Sequence, residues 1–176
     1  NKKQAQGLRY KTIYHKQGIM HNKFCILNDD TVITGSYNPH SNTANNLIII
    51  QSKTLAKNYL EEFNELWQNT RASKTKHTKI SLNTTLIENY FCPEDNCREK
   101  VANTLSAANK SIIFMTYSFT DDKIGQIVSD KAKKMVVKGI LDKSQINKWS
   151  QYNKLKHTAT AKAGIHHKVF IVDEAI

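Results

Sequence analysis

Met20-His21-Asn22-Lys23-Phe24-Cys25-Ile26-Leu27-Asn28 and Ile165-His166-His167-Lys168-Val169-Phe170-Ile171-Val172-Asp173 are two copies of one pattern, 145 residues apart. Each has a histidine, one intervening residue, a lysine, four apolar residues and a polar closing residue. The triplet alone carries little weight. With seven histidines and 23 lysines such a triplet arises by chance, and His77-Thr78-Lys79 is one, with no apolar run after it. The other two share a strand-like run and a polar terminus, and Gly35-Ser36-Tyr37-Asn38 follows the first of them. On a strand, residues two apart point to the same face, so one imidazole and one ammonium are directed at the same spot.

That pairing suits a phosphodiester, whose phosphorus is weakly electrophilic and whose leaving group is poor. One histidine can attack phosphorus while a second, protonated one donates to the leaving oxygen. Lysines offset the charge on the non-bridging oxygens, and the side chains of Ser36 and Asn38 add neutral donors. Two copies of the motif supply both histidines and both lysines. No metal and no cofactor is needed for this chemistry.

These residues resemble the phospholipase D superfamily, whose motif reads H-x-K-x4-D and is followed by a G-S-x-N segment. In that family two repeats pack about a pseudo-two-fold axis and share one active site. By resemblance, 1–75 is the C-terminal half of a first repeat, including the helix that ends in Leu66-Trp67. Residues 86–176 are the N-terminal half of a second, truncated within its motif, with Tyr90-Phe91-Cys92-Pro93, Tyr117-Ser118-Phe119 and the Gly139 to Asp142 strand as further marks. The fold class implied is α/β, a mixed β-sheet with flanking helices, here a fragment of a two-repeat pseudo-dimer. The resemblance makes His21 and His166 nucleophile and general acid, with His21 the expected nucleophile. It gives Lys23 and Lys168 to the phosphoryl oxygens with Ser36 and Asn38, and makes Asp173 a support of the site. Two positions depart from the pattern. Asn28 stands where the family has Asp, and Asn45 stands where many relatives carry Glu; both bear on efficiency more than on reaction type.

The remaining sequence fits this frame. Residues 8–14 alternate as a strand, and Met20–Leu27 and Thr31–Thr34 form a hairpin about Asn28-Asp29-Asp30. Leu47–Ile50 is a buried strand. Ser52–Asn69 is a helix capped by Ser52, with Leu55, Tyr59, Leu60, Phe63, Leu66 and Trp67 on one face. The polar stretch 70–78 is a linker. Pro93 is placed to open a helix whose Val101, Leu105 and Ala108 share a face. Ser111–Phe119 is a strand, Thr120-Asp121-Asp122 caps a helix, Gly139 interrupts a strand over 136–141, Ser144–Leu155 is a mixed helical stretch, and Val169–Val172 is the last strand.

Composition narrows the partners. The 176 residues carry a formal charge of +11, and 39% are hydrophobic, enough for a core, which excludes wholesale disorder. The positive surplus points to a polyanion, nucleic acid first and phospholipid second. Self-association is expected if the piece is expressed alone. No run approaches the roughly 18 apolar residues of a membrane span, and no signal peptide is visible; location is left open with the cytoplasm favoured, and residues before Asn1 could carry a leader or anchor. Three cysteines form no disulfide framework: Cys25 reads as a small core residue, and Cys92 and Cys97 as a structural thiol pair or, on the sharper reading, a metal or redox pair. Three functions are open: a nuclease-type phosphodiesterase, a phospholipase-type hydrolase or transferase, and a weakly catalytic nucleic-acid-binding module.

Overall fold

In the computed structural model, which describes residues 20–39, 43–70 and 73–174, strands and helices mix as an α/β protein. The chain divides into two compact units, one of residues up to Val32 with Ile50–Asp95, the other of Ile33–Ile49 with residues from Asn96 onward. The expected strand over 8–14 lies outside the described residues.

Strands β1 (Phe24–Leu27), β2 (Thr31–Gly35) and β3 (Leu47–Gln51) form a three-stranded sheet in that order, and β3 is not the buried strand expected, since Leu47, Ile48 and Ile49 are exposed. The turn joining β1 to β2 places Asn28 and Asp29 at φ of 49° and 57°, a left-handed conformation that Asn and Asp tolerate better than other side-chain-bearing residues. Helix α1 (Lys53–Gln68) starts as expected: Ser52 is extended and its hydroxyl accepts from the Leu55 amide at 3.3 Å. In the first unit, Leu55 and Ala56 of α1 pack with Val32 and Ile80, and Tyr59 meets Phe24 and Phe91 edge-on. Only part of the expected apolar face is covered. Leu60, Phe63 and Trp67 are exposed, and Phe63 and Trp67 stack on each other with centroids 5.6 Å apart. Strands β4 (Lys79–Leu82) and β5 (Thr85–Glu88) pair as an antiparallel hairpin that sequence reading did not assign.

The helix expected at Pro93 begins later. Pro93 lies in a turn fixed by Asp95, whose carboxylate accepts from the Phe91 amide and from the amide and hydroxyl of Thr75. Helix α2 (Cys97–Ala107) follows after Asn96, at φ 54°. Cys92 and Cys97 are both disulfide-bonded and Cys25 is the free, exposed cysteine, so the thiol and metal readings of the pair give way to a short covalent loop closed by the turn itself.

The second unit is built on a four-stranded sheet of order β8-β7-β6-β9, from β6 (Ser111–Thr116), β7 (Val136–Asp142), β8 (Ala159–Lys162) and β9 (Lys168–Val172). β7 runs parallel to β6 and β8, and β9 runs antiparallel to β6 with Thr116 opposite Lys168 and Ile112 opposite Val172. β6 and β7 are joined through α3 (Asp122–Ala132), whose N-cap Asp121 accepts from the Ile124 amide at 2.9 Å. Leu105, Ile112, Phe114, Val128, Leu141 and Leu155 form the core between sheet and helices. Gly139 does not interrupt its strand. It faces Phe114 across the ladder, and the aromatic ring fills the space that a Cβ would need. The expected helical stretch 144–155 is instead a 3₁₀ turn (Lys143–Gln145), an irregular loop and one turn of α4 (Tyr152–Leu155), and β8 after it was not foreseen. Among the described residues no helix is long and apolar enough to cross a membrane.

Candidate active site

The two motifs share a local geometry. In the first unit Lys23 Nζ donates to the backbone oxygen of His21 at 2.9 Å; in the second, Lys168 Nζ donates to that of His166 at 3.1 Å. Each lysine thus reaches back over the residue between it and its histidine. The alternation of a strand does not govern the pair, because β1 starts only at Phe24 and β9 only at Lys168. The closing residues correspond too: Asn28 and Asp173 have φ of 49° and 60°.

Around His166 the arrangement is detailed. Its backbone amide donates to the Ala44 oxygen at 2.8 Å, and the Ala44 amide donates to the Gly164 oxygen at 2.9 Å, a parallel bridge that fixes where the histidine leaves the chain. Nδ1 lies 2.9 Å from Asn45 Oδ1 and 3.1 Å from the Ser36 carbonyl oxygen. The amide orientation of Asn45 is set independently, since its Nδ2 donates to the Thr43 oxygen at 2.8 Å. Both neighbours of Nδ1 are therefore acceptors, so Nδ1 carries the proton.

Ser36 holds this network together. Its hydroxyl accepts from the Asn46 amide at 3.0 Å and donates to Asn45 Oδ1 at 3.1 Å, and the residue is buried. Gly35 makes the approach feasible: its φ is 143°, and a Cβ would run into the Asn46 carbonyl. The Gly-Ser pair is thus a backbone-contact device. Asn38, half-buried, lies two residues further along the same segment.

Tyr117 completes the surroundings. Its ring lies 4.8 Å from the His166 ring, its amide donates to the His167 oxygen, and its hydroxyl accepts from Gln145 Nε2 at 2.9 Å. Lys168 Nζ sits 5.5 Å from the Tyr117 centroid, within cation–π range. Asp142 secures the turn just before the motif. Burial pushes its carboxyl up, but the hydroxyl and amide of Ser144 and the amides of Ile165 and Gly164 outweigh this and hold it below the usual range.

Asp173 stands at the far end of β9 from His166. Its carboxylate accepts from the amides of Asn109, Lys110 and Ser111, and the Lys110 bond leads the effects that lower its pKa. It ties the strand end to the loop that enters β6, a support given through the sheet and without contact to the histidine. Sequence reading named Asn45, Tyr117 and Asp142 without placing them around His166, and did not single out Gln145. The signal for Asn45 was present as a departure from the family pattern; the others are distant in sequence and brought in by the order of the sheet.

Residues 1–67 match a family model described as cardiolipin synthase, PLD-like domain. The match likens this part of the chain, 67 of its 176 residues, to a phospholipase D-like domain. Two solved structures are similar: a phospholipase D family member, Nuc from Salmonella typhimurium, 27% identical with a TM-score of 0.40, and NucT from Helicobacter pylori, 24% identical with a TM-score of 0.38. The matches cover 47% and 44% of this chain, and in both cases the chain spans 60% of the other protein. No curated protein matches the chain.

Proposed function

We propose that the protein is a phosphodiesterase that works through a phosphohistidine and hydrolyses nucleic acid. The observation that carries the reading is the support of His166: Asn45 and Ser36, which follow the first motif in sequence, serve the histidine of the second. The segment that trails the first motif thus gives the second motif's histidine a fixed ring and a defined tautomer.

In this mechanism His21 Nε2 attacks phosphorus, the bond to the leaving oxygen breaks, and His166 Nε2–H gives that oxygen its proton. Water then attacks the phosphohistidine. His166 Nε2 takes the water proton, the phosphorus–nitrogen bond breaks, and a phosphomonoester and an alcohol are released. Lys23 and Lys168 balance the phosphoryl oxygens; an ammonium has three donors and can keep its bond to the histidine carbonyl while doing so. Asn38 adds a neutral donor. Ser36, with its hydroxyl turned to Asn45, is assigned to positioning, and Asp173 to holding the strand. Nucleic acid is favoured as substrate by the charge of +11.

A second reading has its own support. The matching family model is named for cardiolipin synthase, and the same steps on a phospholipid would give hydrolysis or headgroup transfer. Purified protein is incubated with plasmid DNA and with phospholipid vesicles in EDTA, beside His21→Ala and His166→Ala. DNA cleavage that persists in EDTA and is lost in either variant is the expected result. Turnover of vesicles alone moves the substrate to lipid. EDTA-sensitive cleavage, or activity surviving both substitutions, overturns the mechanism, and binding without turnover makes the chain a nucleic-acid-binding module.

A further inference from the structure

The loop between β7 and α4 carries a feature that the hydrolytic steps leave unused. Trp149 is 68% exposed, more than any other large hydrophobic residue among those described. It is not on a loose segment. The next two residues, Ser150 and Gln151, are buried, at 8% and 4% exposure. The Gln151 amide donates to the Phe119 oxygen at 2.8 Å, and its side chain donates to Asp122 at 2.7 Å. On the other side Gln145 is bound to the Tyr117 hydroxyl, the Asn147 side chain donates to the Gln145 oxygen at 3.3 Å, and Asn147 Oδ1 accepts from the Trp149 amide at 2.9 Å. The indole is therefore presented to solvent by a loop pinned at both ends. One of those pins is the tyrosine that packs on His166.

We propose that Trp149 is a stacking platform for a base of a single-stranded nucleic acid bound at the site, which deepens and rests on the nuclease reading above. An unpaired base offers an aromatic face that a duplex hides, and stacking on one tryptophan is indifferent to sequence. The charge around the ring fits the same ligand. Lys148 Nζ lies 4.9 Å from the Trp149 centroid, and Lys143 is exposed earlier on the same loop, so a stacked nucleotide finds ammonium groups beside its phosphates. The loop around the indole is mostly polar, with Lys143, Ser144, Gln145, Asn147 and Lys148 about a half-buried Ile146. A single indole in such a setting has little apolar area to insert into a bilayer.

The chain has two tryptophans, so Trp67→Phe leaves Trp149 as the sole indole reporter. Titration of that variant with oligothymidylate is expected to quench its fluorescence to saturation. By anisotropy of a labelled oligonucleotide, Trp149→Ala should weaken binding about five- to a hundredfold, and Trp149→Phe should retain most of the affinity. Hydrolysis of bis(p-nitrophenyl) phosphate by Trp149→Ala should match the parent and vanish in His166→Ala. Unchanged oligonucleotide affinity in Trp149→Ala overturns the platform, as does an indole shift with anionic phosphatidylglycerol vesicles and none with oligothymidylate. If the small diester is not hydrolysed while the quench persists, the hydrolytic reading fails and the platform stands. If the diester is hydrolysed without the quench, the reverse holds.

Discussion

The two motifs have nearly the same sequence and different positions in the architecture. His21 and Lys23 precede a four-residue strand in a unit whose core, among the described residues, gathers about Val32, Leu55, Ala56 and Ile80. His166 and Lys168 lead into a strand that forms the edge of a four-stranded sheet over a larger core. The second unit also contains residues 33–49, the segment that trails the first motif. A duplicated motif can look like two sites. Here the trailing Gly-Ser and Asn45 of one copy hold the ring of the other copy's histidine, so the repeat is a division of labour. The difference teaches that the histidine, the lysine and their polar supports need not come from the same copy.

This comparison can be broken most directly at Asn45. Asn45→Ala removes the side-chain acceptor that sets the His166 tautomer, and turnover should fall roughly a hundredfold with little change in KM, as expected for a displaced catalytic group. Nitrogen-15 NMR of the imidazole should show the Nδ1–H form in the parent and a larger share of the Nε2–H form in the variant, where the Ser36 carbonyl still accepts but Asn45 does not. An unchanged spectrum would separate the two copies again. A second test sharpens the contrast between cores: Gly139→Ala forces the Phe114 ring from its place and should destabilise the second unit by about 1–3 kcal/mol in urea unfolding.

Smaller effects follow at the edges of the units. Reduction of the Cys92–Cys97 bond opens a very short loop, and the loss of stability should not exceed about 2 kcal/mol by thermal unfolding. The acid limb is a further test. Asp142 and Asp173 are held below their usual pKa in the fold, so the stability they add is complete above the ordinary carboxylate range near pH 4 and is lost as pH falls through their folded values. The parent should therefore weaken below about pH 4, and Asp173→Ala should flatten part of that dependence while lowering the melting temperature at neutral pH. Asp173→Asn, which keeps an acceptor and tolerates the same φ, should melt between the two.

Much of this was legible from the sequence because it is local. Ser52 as a cap, Asp121 as a cap, the apolar run of β6 and the duplicated pattern are all set by neighbours in the chain. The misses have non-local causes. Leu60, Phe63 and Trp67 satisfy a helical period, yet period alone does not say how wide a face the core will cover. Gly139 read as an interruption because the ring of Phe114, which fills its missing side chain, is 25 positions away. Asn45 looked like a loss of charge until its partner, distant in the chain, was seen to need only an acceptor.

The left-handed backbone at Asn28 and Asp173 has a consequence for how such chains are found. The last letter of the motif is at once a chemical and a conformational requirement. Asp and Asn meet the conformational one nearly equally, and the carbonyl oxygen of Asn still offers part of the chemical one. A search pattern that insists on Asp there discards relatives that differ by a single amide. Scoring that column by backbone geometry, with Asn admitted beside Asp, would recover chains whose first motif ends as this one does.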